Sequence, residues 1–246
     1  MTKRYFVRFA YDGTNYHGWQ IQPNGISVQE VLQKALSTLL RMRVTVVGAG
    51  RTDAGVHARS MVAHFDVDDT VEIDERQLCY KLNRLLPCDI AVYSVQQVSV
   101  DMHARFSAKS RTYHYYIHTR KDPFSRKYSC ELHYDLDFAL MNKAAEHLLV
   151  VDDFEAFCKS NTDVKTTLCD VMEARWIDDG GGNWHFRIVA NRFLRNMVRA
   201  VVGTLIEVGR HRMTYTDFEK VVAGKSRSAA GESMPGNALF LEDVAY

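Results

Sequence analysis

The chain has 246 residues, 46% of them hydrophobic and 25% charged, with 14 glycines and 4 prolines. That balance excludes a disordered, collagen-like or low-complexity chain, and the length suits one large domain or two small ones. Thirty-one Lys and Arg against 30 Asp and Glu leave a net charge of +1, so any nucleic-acid-binding surface has to be local rather than global.

Residues 5–10 read as a strand and 11–15 as a turn. Ser27 opens a helix, with Glu30 completing a capping box and Val28, Val31, Leu32, Ala35, Leu36 and Leu39 forming its apolar stripe. Residues 44–47 are expected to form a strand and 48–55 a loop. In 61–67, Met61, Ala63, Phe65 and Val67 alternate with Val62, His64 and Asp66, which predicts a strand buried on one face only. Asp74 with Gln77 opens a second helix that Pro87 ends, and 90–95 is a further strand. The order β-α-β-β-α-β is the ferredoxin-like unit.

The second half repeats this plan less cleanly. Residues 111–118 predict a strand and 137–149 a helix. Residues 166–177 and 184–190 form a hairpin around Asp179-Gly-Gly-Gly182. An amphipathic helix is expected over 193–208, a shorter one over 216–223 and a closing strand over 238–245. The fold class is therefore α+β: two ferredoxin-like halves, 1–100 and 101–246, sharing a largely antiparallel sheet.

The five cysteines are odd in number and lack C-x-x-C spacing, which argues against a disulfide framework or a zinc ribbon. With no signal-peptide pattern and no long apolar run, the expected location is the cytoplasm. Charge is patterned locally. From His103 to Tyr128 there are seven Lys/Arg and one acid, interleaved with aromatic residues, and from Arg192 to Arg212 five Arg and one acid. Such stretches suit RNA, and equally suit a solvated face.

Several motifs fail on inspection. Gly224-Lys225-Ser226 lacks the first glycine of a P-loop, because residue 219 is Glu. Gly48 and Gly50 start a dinucleotide fingerprint, but residue 53 is Asp. His114 and His118 on a strand would stand ~13 Å apart, too far for one metal. No metal, nucleotide or redox cofactor is expected.

What remains is the loop Gly48-Ala-Gly-Arg-Thr-Asp-Ala-Gly-Val-His57. Its glycines permit tight turns and close approach of a ligand. Asp53 at its centre has Arg51 nearby. A guanidinium there would keep the carboxylate ionised, as suits a nucleophile or base; the plainer reading is an Asp capping its own turn. Tyr113 and Tyr115 share a strand face with Arg111, either as a packed aromatic stripe or with a tyrosine that stacks on a base or handles a proton. On the 193–208 helix, Arg192, Arg195 and Arg199 fall on one side, either solvated or facing phosphate.

Several blocks together resemble the TruA family of tRNA pseudouridine synthases along nearly the whole chain. They are Tyr11-Asp-Gly-Thr-Asn-Tyr-His-Gly-Trp-Gln20, Ala49-Gly-Arg-Thr-Asp-Ala-Gly-Val-His57, His103-Ala-Arg-Phe-Ser-Ala108 followed by Arg111-Thr-Tyr-His-Tyr115, Asp153-Phe-Glu-Ala-Phe157 and Phe193-Leu-Arg-Asn-Met-Val-Arg199. One block departs: Pro235-Gly-Asn-Ala-Leu239 has Ala238 where the family usually has Gly. The resemblance implies the pseudouridine synthase fold with a cleft between the halves. It implies a cofactor-free isomerisation of uridine in the tRNA anticodon stem-loop, at positions 38 to 40, by a homodimer. It makes Asp53 the nucleophile at C1′ or the base at C2′. Tyr113 would pack on the base, Arg199 would pair with the aspartate and help extrude the nucleotide, and Arg51 would assist. Arg192 and Arg195 are candidate substrate contacts. The competing reading is a tRNA-binding or RNA-folding protein without chemistry.

Overall fold

Local side-chain chemistry starts four of the helices. Ser27, Asp74 and Asp137 each accept the backbone N–H three residues on, at 3.2, 2.9 and 2.8 Å. They open α1 (Val28–Leu40), α2 (Glu75–Leu85) and α3 (Phe138–His147). A fourth helix, α4 (Met197–Gly209), has no side-chain cap. Thr214 opens α5 (Tyr215–Ala223) by accepting from Asp217 N at 3.1 Å. The computed structural model describes residues 2–159 and 165–246. They divide into two units, one of Met1–Lys109 with Leu241–Tyr246, the other of Ser110–Phe240. No helix among the described residues is long and apolar enough to cross a membrane.

In the first unit, β1 (Thr2–Tyr11) lies antiparallel between β3 (His57–Asp68) and β4 (Ile90–Val98). Tyr5, Val7, Phe9, Phe65 and Val67 form a buried face with Leu32 and Leu36 of α1 and Leu78 and Leu82 of α2. The expected strand over 44–47 shrinks to β2 (Val47–Gly48), paired to His64 and Ala63. Helix side chains take the backbone groups before it: Ser37 and Gln33 accept the N–H groups of Val44 and Val46, and Gln29 donates to Val46 O.

One-sided burial of β3 is not observed. Val62 and His64 are buried like their neighbours. The segment after β4 folds back over them, with Ala104 N donating to His64 Nδ1 at 3.1 Å and the His103 ring 4.6 Å from that of His64. Burial, with Arg4 and His103 nearby, pushes His64 down to about 4.

In the second unit, β5 (Ser110–His118), β7 (Val171–Gly180) and β8 (Asn183–Ala190) form antiparallel pairs β5–β8 and β8–β7. The short β6 (Cys130–Glu131) adds in parallel to β5. The predicted hairpin starts five residues late, at Val171, and turns through Gly181 and Gly182, whose φ of +65° and +89° favour glycine. The last strand, β9 (Leu239–Ala245), neighbours β3 and ends in the first unit, whereas the sequence reading kept the whole tail with the second half. Arg8 and Arg59 hold its acids Asp243 and Glu242 at 3.0 and 3.1 Å.

The largest departure concerns α4. The sequence predicts a helix over 193–208, with Arg192, Arg195 and Arg199 on one side, either solvated or facing phosphate. The helix begins only at Met197, because Asn196 adopts a left-handed conformation (φ +68°) and turns the chain before it. Arg192 and Arg195 therefore lie outside the helix and form no row with Arg199. The helix itself is buried nearly all round, with Arg199 and Glu207 alone escaping. Its expected polar side is covered by residues 231–234. Gly203 makes room for them: a Cβ there would stand 1.8 Å from Glu232 O.

Candidate active site

Residues 49–56 connect β2 to β3 and carry Asp53. Residues 12–19, the N-terminal signature block, brace them from the backbone side. Trp19 N donates to Thr52 O at 3.2 Å, Gly55 N to Tyr16 O at 3.4 Å, and Val56 N to Asp53 O at 3.2 Å. Thr52 is buried, with its hydroxyl 2.8 Å from Tyr11 OH. The approach is too close for side chains. A Cβ on Gly13 would stand 2.0 Å from Val56 O, and one on Gly18 2.4 Å from Thr52 O, where φ is also +86°.

The brace is anchored in turn. Gly13 N donates to buried His57 Nδ1 at 2.9 Å, Tyr16 OH to Asp89 Oδ1 at 2.6 Å, and Asp12 N to Asp89 O at 2.9 Å. Burial and Asp89 push the Tyr16 hydroxyl up, so it stays a donor. The two blocks read separately along the sequence are thus one substructure. Asp53 is half-buried at its centre. Arg51 is exposed and, among the described residues, forms no ion pair. The expected Arg51 partnership with Asp53 is not formed.

In the second unit, Tyr113 on β5 is nearly buried, its ring edge-on to Phe193 at 5.0 Å and 82°. Contact with Phe193 fixes the ring plane, as a surface for stacking requires. Arg111 donates to Asn191 O at 2.6 Å. Tyr115 is wholly buried and donates to Pro235 O at 3.0 Å. Burial pushes its hydroxyl up, so it serves as a donor in the packing rather than as a proton carrier.

Arg199 stands in the first turn of α4. Its Nε donates to Met234 O at 2.5 Å, and its carbonyl accepts from Met234 N at 3.2 Å. The tail segment therefore holds the guanidinium at Nε. Arg192 is half-buried and Arg195 exposed; the Arg195 carbonyl accepts from Lys159 N at 3.1 Å. Ala238, the departure from the family pattern, is fully buried and has no positive φ, so alanine stands there without backbone strain. The sequence singles out the block 11–20 but not its contact with the aspartate loop, and does not single out residues 231–234. The signal available was the pair Gly13 and Gly18, and Gly203 inside a helix that its apolar neighbours bury.

A family model described as tRNA pseudouridine synthase matches residues 8–107 and 144–246. The chain belongs to the tRNA pseudouridine synthase family. Family members are isomerases that convert uridine to pseudouridine, and tRNA is the substrate. Among individual relatives, the tRNA pseudouridine synthase A of Bacteroides fragilis is 57% identical over 244 residues, covering 99% of this chain and 96% of its own. That of Porphyromonas gingivalis is 50% identical over 244 residues, covering 99% and 97%. That of Bacillus subtilis is 39% identical over 241 residues, covering 96% of each chain.

Proposed function

We propose that this synthase isomerises uridine in the anticodon stem-loop of tRNA, at positions 38 to 40, and that Asp53 is its essential carboxylate. The observation that carries the assignment of Asp53 is the brace. Backbone groups of residues 13–19 press on the loop so closely that only glycine fits at 13 and 18. A carboxylate held in that way loses little freedom when it meets a sugar carbon, which is how positioning lowers a barrier.

The reaction breaks N1–C1′, turns the uracil and forms C5–C1′. The C5 proton leaves to solvent and N1 gains one. Asp53 either attacks C1′ or removes the C2′ proton to give a glycal. Tyr113 packs on the base and assists loss of the C5 proton. Arg199 pairs with the carboxylate and helps extrude the nucleotide, offsetting an unstacking cost of a few kcal/mol. Arg51, being exposed, contributes to phosphate contact; Arg192 and Arg195 are further candidate contacts. In this reading residues 1–100 carry the aspartate loop and 101–246 the tyrosine strand and arginine helix. The enzyme acts as a cytoplasmic homodimer without a cofactor.

The test is position mapping. An unmodified tRNA transcript with uridines at 38, 39 and 40 and elsewhere is treated with the protein, derivatised with carbodiimide and read by primer extension. Stops confined to 38–40 support the assignment, and stops elsewhere refute it. Gel-filtration mass analysis tests the dimer in the same preparation.

A further inference from the structure

The segment that crosses α4 is tied down at one hydroxyl. Ser233 Oγ accepts from Asn196 Nδ2 at 2.7 Å and from Arg227 Nη2 at 2.7 Å, using both of its lone pairs. Asn196 is the left-handed residue that immediately precedes α4, three positions before Arg199. Arg227 donates further to Gly231 O at 3.0 Å and Ala230 O at 3.5 Å, so its fork closes the loop 230–233 from within. Among the described residues it has no carboxylate partner. Its bonds are spent on shaping this segment.

The consequences converge on Arg199. Met234, the residue after Ser233, makes both backbone contacts with Arg199, donating to its carbonyl and accepting from its Nε. Gly231 N donates to Thr204 Oγ1 at 2.9 Å, and Glu232 O lies against Gly203. Ser233 thus links the residue that starts the helix to the residue that orients the guanidinium. Of the other residues in 231–235, Gly, Met and Pro carry no strong side-chain acceptor, and Glu232 makes no side-chain hydrogen bond among the described residues.

We propose that Ser233, held by Arg227 and Asn196, is a positioning residue that sets the orientation of Arg199 for turnover on tRNA. The inference rests on the reading of Arg199 given above. Without the hydroxyl, both donors lose their common acceptor, Met234 is free to shift, and the guanidinium loses its hold at Nε.

The experiment is a double-mutant cycle in single- and multiple-turnover assays on unmodified tRNA, with Ser233→Ala, Ser233→Thr, Arg199→Ala and the Ser233→Ala/Arg199→Ala double variant. Ser233→Ala is expected to lower kcat about tenfold while changing KM by less than about twofold. Ser233→Thr, which keeps the hydroxyl, restores kcat. In the Arg199→Ala background, Ser233→Ala then costs less than about twofold, because the residue it positions is gone. A purely structural role gives the same loss in both backgrounds, and that result overturns the proposal while leaving the Arg199 reading intact. Unchanged kcat in Ser233→Ala also overturns it. Full activity of Arg199→Ala overturns the Arg199 reading, and the proposal with it. Urea unfolding midpoints of all four variants identify any loss of fold.

Discussion

Replacing Gly203 by alanine is expected to destabilise the second unit, against the ordinary trend for helices. In an unobstructed helix interior the change stabilises by about 1 kcal/mol. Here the new Cβ would stand 1.8 Å from Glu232 O and 3.0 Å from its carbonyl carbon. Ordinary contact lies near 3.5 Å, so the crossing segment has to retreat by roughly 1.5 Å or more. That retreat lengthens three hydrogen bonds past their useful range: Gly231 N to Thr204 Oγ1, Met234 N to Arg199 O, and Arg199 Nε to Met234 O. At about 1 kcal/mol each, their loss outweighs the propensity gain and leaves a net cost of about 2 kcal/mol. Turnover falls as well, because Arg199 loses the acceptor at its Nε. Urea unfolding gives the stability change and pseudouridine formation gives the rate. A Gly203→Ala protein as stable as the parent with full turnover would refute the reasoning.

Other outcomes follow from the first unit and from β5. His64 is held neutral, near 4 when folded against about 6.5 when unfolded, so the unfolded chain takes up a proton that the folded one refuses. Stability is thus full above about pH 6.5 and declines as pH falls toward 4, by up to roughly 3 kcal/mol. His64→Gln is expected to flatten this decline in urea titrations at pH 7 and 5, and an equal slope in both proteins contradicts it. Tyr11→Phe strands the buried Thr52 hydroxyl and costs about 1–3 kcal/mol, whereas in a Thr52→Val background the same change costs less; an equal cost in both backgrounds in unfolding experiments would show that the two do not depend on each other. Tyr113→Phe is expected to slow C5 deprotonation with little change in tRNA affinity, and a normal rate reduces Tyr113 to stacking.

Much of the architecture was legible because local chemistry decides it. Capping residues announced α1 and α2, and the apolar stripe of α1 placed its buried face. The sequence blocks also carried the family and located the aspartate loop. What could not be read was set by segments distant in sequence. The face of β3 bearing His64 looked solvated because nothing local shows that residues 101–106 fold over it. Residues 44–46 looked like a strand because their β-branched side chains say nothing of Gln29, Gln33 and Ser37 reaching their backbone. The start of α4 was misplaced because Phe193, Leu194, Met197 and Val198 keep helical spacing across a residue that leaves the helix. Asn tolerates a positive φ without a Gly or Pro to mark the break. The row of Arg192, Arg195 and Arg199 failed for that reason alone.

The central claim is that the carboxylate of Asp53, held on its braced loop, is the group on which uridine isomerisation depends. Its most direct measurement is tritium release from [5-³H]uridine-labelled tRNA by the parent protein and by Asp53→Asn, with tRNA affinity and unfolding midpoint measured on both. The account predicts release by the parent, none by Asp53→Asn, and equal affinity and fold. Full release by Asp53→Asn would contradict it.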